Sequence, residues 1–274
     1  MRLKDKVAII TGAGGAQGRT ATIMFCQEGA KVVAVDWDQK NVEETVRIAK
    51  EMGGDAIAYL CDISKEEQVK NMVKFAVDTY GKLNVLYNNA AINTAEGPCT
   101  EVDEQILNLN LDVNLKGHFF CCKHAIPEMI KGSGGSIINI ATGPPFTYTT
   151  GERSFADVYL MAKAGLRALS RSIAGTFASK NIRSNVIGPG LILAGGHEEI
   201  KKNPQAVELI RHAIGPMNRI GMPEDIVYCA IWLASDESSY CTGTDITIDG
   251  GASVTRGATF KDDALPLLSA KLRW

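Results

Sequence analysis

Two places in this 274-residue chain carry side chains whose types and spacing could do chemistry. The stretch YLMAK, residues 159 to 163, sets a phenol and an ammonium at i and i+4. On a helix, Tyr159 and Lys163 would therefore lie on one face. Alone, such a pair reads equally well as a solvated lysine beside a half-buried tyrosine. The second place is VAIITGAGGAQGRTA, residues 7 to 21. A GxGxxG dinucleotide fingerprint fails there, because Gln17 stands where its third glycine would be. The TGxxxGxG template matches Thr11, Gly12 and Gly18 and fails only at Ala16. A negative φ at Ala16 would make that methyl tolerable, and alanine favours a helix start.

A strand, a glycine-rich turn and a helix beginning near Gln17 put backbone N–H groups and the positive helix end beside a pyrophosphate. Asp36 ends the next apolar run, where a carboxylate accepts hydrogen bonds from adenosine ribose hydroxyls and repels a 2′-phosphate. Gly15 and Trp37 bring no charge to greet that phosphate, so NAD is favoured over NADP. Arg19, the one nearby cation, reads as a solvated side chain of the first helical turn. Without Asp36, Gly12, Gly14 and Gly15 would be read as a plain tight turn just as readily.

The elements that must position these groups follow from the apolar pattern. Runs at 7–11, 32–36, 56–62, 84–88, 136–141, 182–188 and 245–249 read as buried strands. Helix spacing fills 18–29, 39–52, 65–80, 101–131 (as two helices), 157–179 and 223–235. The alternation predicts an α/β fold: a doubly wound, seven-stranded, mainly parallel and Rossmann-like sheet with helices on both faces. Residues 1–274 are expected to form one domain. A substrate loop at 142–156 and a lid at 189–222 break the rhythm, each after a strand, at the edge where such sheets bind ligands. The lid reading competes evenly with a surface excursion that gates nothing.

Composition narrows the partners. A formal charge of -2 with 22% charged residues gives no attraction for nucleic acid or an anionic membrane. Seven cysteines without a CxxC pair argue against a disulfide framework and against a zinc site, and four scattered histidines offer no metal ligation. No metal is expected. The opening residues lack the apolar core of a signal peptide, and no run could span a bilayer, so a cytoplasmic protein is expected.

Taken with YLMAK, NNAA at 88–91, Asn114 in a helical run, NIATG after the fifth strand, PG at 189–190 and IDGG near the end, the order and spacing resemble the short-chain dehydrogenase/reductase family over nearly the whole chain. The resemblance implies that Tyr159 is the general acid/base of a hydride transfer between NAD and an alcohol or ketone. Lys163, with the nicotinamide charge, would lower the phenol's pKa from about 10 toward working pH and would hold the nicotinamide ribose. Asn114 would support a water chain to Lys163, although an asparagine bonded to its own helix backbone is a serious competitor. Gly12, Gly15, Gln17, Gly18, Asp36, Trp37, Asp62, Ile63, Asn89, Ala90, Ala91, Pro189, Gly190 and Ile192 would line the cofactor, Asp62 at the adenine edge.

Two departures stand out. The family's usual serine after the fifth strand is here Thr142, which keeps the hydroxyl and stiffens it. Ser154 is its rival, since the interval from Thr142 to Tyr159 is longer than usual. Where the family often has a threonine to contact the carboxamide, Ala194 stands, which leaves backbone near Ile192 to orient the ring. Thr142, Pro144, Phe146, Tyr148, Leu191 and His197 are the expected substrate contacts, and they suit a cyclic or aromatic secondary alcohol. A ketone or 3-oxoacyl reductase using NADPH is the second reading, opposed by Asp36. A non-catalytic nucleotide sensor is the third, opposed by Tyr159, Lys163 and Asn114. The partner is thus a small molecule, and the chain is expected to be a homo-oligomer, dimer or tetramer. Its apolar tail at 258–274 packs either on a neighbour or on its own domain.

Overall fold

A computed structural model describes residues 1–92, 99–143, 157–193 and 216–254. They build a seven-stranded sheet in the order β3-β2-β1-β4-β5-β6-β7. The strands are β1 Val7–Thr11, β2 Lys31–Asp36, β3 Asp55–Leu60, β4 Val85–Asn88, β5 Gly135–Ile140, β6 Ile182–Pro189 and β7 Asp245–Ile248. Every pairing is parallel, so "mainly parallel" becomes wholly parallel.

The strand sequences are apolar at nearly every position because both faces are covered. Ala8 and Ile10 of β1 join one buried cluster, with Phe25, Val42 and Ile226. Ile9 joins the other, with Met72, Cys121 and Ile173. Helices α1 Ala16–Gln27, α2 Gln39–Glu51 and α7 Pro223–Ala234 cover the first face. On the second lie α3 Glu66–Tyr80, α5 His118–Lys131 and α6 Asp157–Phe177. The sheet reverses its winding between β1 and β4, and the carboxyl ends of these two strands form the crevice where such folds take ligands.

The run expected as two helices over 101–131 differs in one respect. Helix α4, Glu104–Leu111, continues through a π-helical segment, Asp112–Gly117, directly into α5. No loop separates them. The wider turn carries Asn114, whose side chain bonds the Ile92 backbone outside the helix, and π-bulges are frequent at functional sites.

Both ends of the excursion after β6 lie within the described residues. Leu193 N–H donates to the Gly221 carbonyl at 2.7 Å and Gly221 N–H to the Leu191 carbonyl at 3.1 Å, closing its neck. The residues between 194 and 215, most of the substrate loop and the tail at 258–274 lie outside the described residues. Among the described residues, no helix is long and apolar enough to cross a membrane.

Candidate active site

The glycine turn after β1 is clamped to the exit of β4. Thr11 Oγ1 accepts from the Asn89 and Ala90 N–H groups at 3.0 and 3.1 Å, and Asn89 Nδ2 donates to the Thr11 and Gly12 carbonyls. Gln17 Nε2 donates to Tyr87 Oη and Asn89 Oδ1, so its side chain belongs to the same clamp. Gly12 has φ +67, and a Cβ there would stand 2.8 Å from Ala90 Cα. A Cβ at Gly18 would stand 2.1 Å from the Gly12 carbonyl oxygen, while one at Gly15 meets nothing closer than 3.5 Å. Gly18 is therefore needed for packing, whereas Gly15 leaves an open approach. No side chain caps α1, which leaves its first-turn N–H groups for an anion. Ala16 opens the helix without a positive φ.

Asp36 is buried at the end of β2. Its Oδ2 accepts from Gly14 N–H at 2.8 Å and its Oδ1 from Asp38 N–H at 3.0 Å. Each oxygen keeps a second lone pair for a ribose hydroxyl. Arg19 requires a correction. It is half-buried rather than a solvated side chain, with Nε on Thr45 Oγ1 at 3.0 Å and Nη2 on the Gly14 carbonyl at 3.3 Å. Its guanidinium braces the turn. Trp37 is 76% exposed beside Asp36. Asp62 Oδ1 accepts from Ser64 N–H, and the Ile63 side chain is buried where Gly117 passes close to it. The glycine approach, the uncapped helix and the carboxylate together fit a nicotinamide dinucleotide.

The catalytic candidates lie on α6, on the π segment and past the end of β5, and α6 packs against both of the other elements. Lys163 is 1% exposed, and its Nζ donates to the Ile140 carbonyl at 2.9 Å, two residues before Thr142. The same Nζ stands 5.5 Å from the Tyr159 ring centroid. Burial, helped by the Arg167 charge, lowers the Lys163 pKa to about 7. Burial pushes the Tyr159 phenol up to about 12, with Arg167 pulling the other way. Here Lys163 is turned toward the Ile140 carbonyl, and burial outweighs the neighbouring cation at the phenol.

Asn114 is fully buried. Its Oδ1 accepts from Ile92 N–H at 3.0 Å, and its Nδ2 donates to the Ile92 carbonyl and to Asn110 Oδ1. It ties the helix to the chain leaving β4 instead of bonding its own helix backbone. Asn88, Asn139, Ser184 and Ser170 form a buried polar chain across β4, β5, β6 and α6. His118 is fully buried beside the Ala90 backbone. Burial first, and then the Lys163 charge, lowers its pKa to about 3 and keeps it neutral.

Of the substrate candidates, Thr142 is half-buried beyond β5 and Leu191 lies at the neck of the excursion with Ile192, which forms a bridge to Gly221. Pro189 ends β6, and Gly190 N–H donates to the Ile248 carbonyl at 2.9 Å. Pro144, Phe146, Tyr148, Ser154 and His197 lie outside the described residues, as does Ala194. An apolar groove of about 670 Å³ lies between α5 and α6, lined by residues such as Phe119, Ile126, Leu169 and Phe177, and includes none of these candidates. Arg167 was missed by the sequence reading. The signal was present, because position 167 continues the 159, 163 spacing by another four residues.

A family model described as enoyl-(acyl carrier protein) reductase matches residues 14–253. The chain is 36% identical over 251 residues to a 3-oxoacyl-[acyl-carrier-protein] reductase of Thermotoga maritima, covering 92% of this chain and 99% of that protein. It is 35% identical over 263 residues to 3beta-hydroxysteroid dehydrogenase 1 of Eggerthella lenta, covering 94% and 97%. The crystal structure of a short-chain dehydrogenase/reductase from Burkholderia xenovorans superposes with a TM-score of 0.84 at 33% identity, covering 93% and 99%. With a dinucleotide crevice, a tyrosine and lysine on one helix and matches of this extent, the chain belongs to the short-chain dehydrogenase/reductase family, oxidoreductases that move a hydride with a nicotinamide dinucleotide.

Proposed function

We propose that the chain interconverts a cyclic or aromatic secondary alcohol and its ketone with NAD, residues 1–274 acting as one catalytic unit. The observation that carries this reading is on α6, where the buried Lys163 reaches the Ile140 carbonyl at the end of β5, two residues before Thr142, and stands 5.5 Å from the Tyr159 ring centroid. When bound, the nicotinamide takes up or supplies the hydride. The first turn of α1, with Gly12, Gly15, Gln17 and Gly18, holds the pyrophosphate through backbone N–H groups, and Asp36 accepts from the adenosine ribose. Asn89, Ala90, Ala91, Pro189, Gly190 and Ile192 line the crevice. The Thr142 hydroxyl holds the substrate oxygen, and Tyr159 Oη exchanges a proton with it. Lys163 would hold the nicotinamide ribose, and Asn114 keeps the strand exit and the π segment together.

The hydroxysteroid dehydrogenase among the relatives supports a cyclic alcohol. The 3-oxoacyl reductase favours a second reading, reduction with NADPH, which Asp36 and the engaged Arg19 oppose. Titration with both nucleotides, followed by a panel of cyclic, aromatic and steroidal alcohols monitored by reduced-nucleotide absorbance, separates them. NAD is expected to bind about tenfold or more tightly than NADP, a difference of about 1.4 kcal/mol. Equal affinities, or a preference for NADP, would overturn the role given to Asp36.

A further inference from the structure

We propose that Arg167 is a positioning residue, a guanidinium clamp that holds the end of β5 so that the Thr142 hydroxyl meets the substrate oxygen opposite Tyr159. This rests on the reading of Thr142 given above. Arg167 lies on the α6 stripe of Tyr159 and Lys163 and is 9% exposed. Its Nε donates to Asp245 Oδ2 of β7 at 2.5 Å. Its Nη2 donates to the Thr142 carbonyl and, at 2.9 Å, to the Gly143 carbonyl. One side chain thus joins the helix bearing the phenol to the backbone bearing the hydroxyl, and braces both against the edge strand.

The neighbouring strand makes room for it. Gly188 of β6 lies between the clamped carbonyls and β7, and a Cβ there would stand 2.9 Å from both Arg167 Nη2 and the Thr142 carbonyl oxygen. Its φ is not positive, so the backbone does not demand glycine. The approach of the clamp does. An ion pair serving only to anchor the edge strand would need the Asp245 contact alone. The second nitrogen is instead spent on two consecutive carbonyls past the last ladder bond of β5, from Ala141 N–H to the Ile187 carbonyl. Among the described residues, Arg167 is the donor to both. A lysine could meet Asp245 but has no planar fork to span the carbonyls.

The test compares Thr142→Val, Arg167→Lys, Arg167→Met/Asp245→Asn and the same double change combined with Thr142→Val. Replacing Asp245 together with Arg167 avoids stranding a half-buried carboxylate and keeps the fold accessible. For each variant, the melting temperature, nucleotide affinity, kcat and KM for the best alcohol are measured. The double variant is expected to fold and bind nucleotide within about twofold of the parent while kcat falls on the order of 10²-fold, the cost of displacing a reacting group by about 1 Å. Arg167→Lys should recover the melting temperature but not kcat. In the Thr142→Val background the further loss should shrink to about twofold or less, because the clamp then has no hydroxyl to aim.

Near-parental kcat in the folded double variant, full recovery by lysine, or an undiminished loss in the Thr142→Val background each overturns the clamp. Thr142→Val that is harmless by itself overturns the role of Thr142 and the clamp with it, which distinguishes the two failures.

Discussion

At the residue scale, the two hydroxyls decide the direction and pH dependence of the chemistry. With the phenol near 12, Tyr159 keeps its proton at neutral pH and is ready to give it to a ketone oxygen. Alcohol oxidation needs the phenolate, whose fraction rises about tenfold per pH unit below the pKa. Accordingly, kcat/KM for oxidation should climb from pH 6 to 10, while that for reduction stays flat or falls. The two profiles, measured on one alcohol–ketone pair, check this, and a flat oxidation profile would remove Tyr159 as the base. Tyr159→Phe should cost about 10²-fold or more in kcat and leave nucleotide binding unchanged. For Thr142, serine retains the donor and acceptor and should keep most activity. Valine retains the shape and loses a hydrogen bond to charge developing on oxygen, roughly 2 to 4 kcal/mol. Ser154→Ala is the matched control and should be mild; a crippled Ser154→Ala beside a harmless Thr142→Val would transfer the role.

At the element scale, the glycines of the β1–α1 turn separate folding from binding. Gly18→Ala forces a Cβ to within 2.1 Å of the Gly12 carbonyl, and helix α1 must shift off the strand. Gly15 adopts φ -77, ψ 164, which alanine shares, and its Cβ meets nothing closer than 3.5 Å. Gly15→Ala should therefore hold stability within about 0.5 kcal/mol and weaken nucleotide affinity several-fold. Gly18→Ala should lower the melting temperature sharply. Thermal melts with nucleotide titrations distinguish the two, and equal behaviour would remove the assignment of Gly15 to cofactor approach.

These elements were legible because strands covered on both faces show uninterrupted apolar runs, and Tyr159 and Lys163 lie on a long amphipathic helix. Three features were not. The π segment carries Asn114 to Ile92, a contact 22 residues away that helical periodicity does not encode. The bracing by Arg19 depends on Thr45 of the next helix, and the role of Arg167 on Asp245 at the far edge of the sheet. Each depends on polar contacts between parts of the chain far apart in sequence.

At the scale of the whole molecule, a lysine placed for chemistry weakens the fold that holds it. Lys163 is buried with its Nζ on one carbonyl, and its pKa falls from 10.5 to about 7, chiefly through burial. Between pH 7 and 10.5 the unfolded chain therefore binds a proton that the folded chain does not, so this group's contribution to stability rises with pH across that window. At and below pH 7 the full penalty is present; above 10.5 it vanishes. Lys163→Met removes the charge while filling much of the volume, at the cost of leaving the Ile140 carbonyl without its donor. The cofactor-free variant should be more stable than the parent at pH 6.5, by on the order of 1 kcal/mol or about 2 to 4 °C for a chain of this size. That advantage should shrink steadily toward pH 10. The other titrating groups are present in both proteins, so above the range where His118, which also feels the Lys163 charge, titrates, the difference between their melting temperatures reports Lys163. A difference independent of pH would mean that the lysine is hydrated and charged in the folded protein, and its pairing with Tyr159 would have to be redrawn.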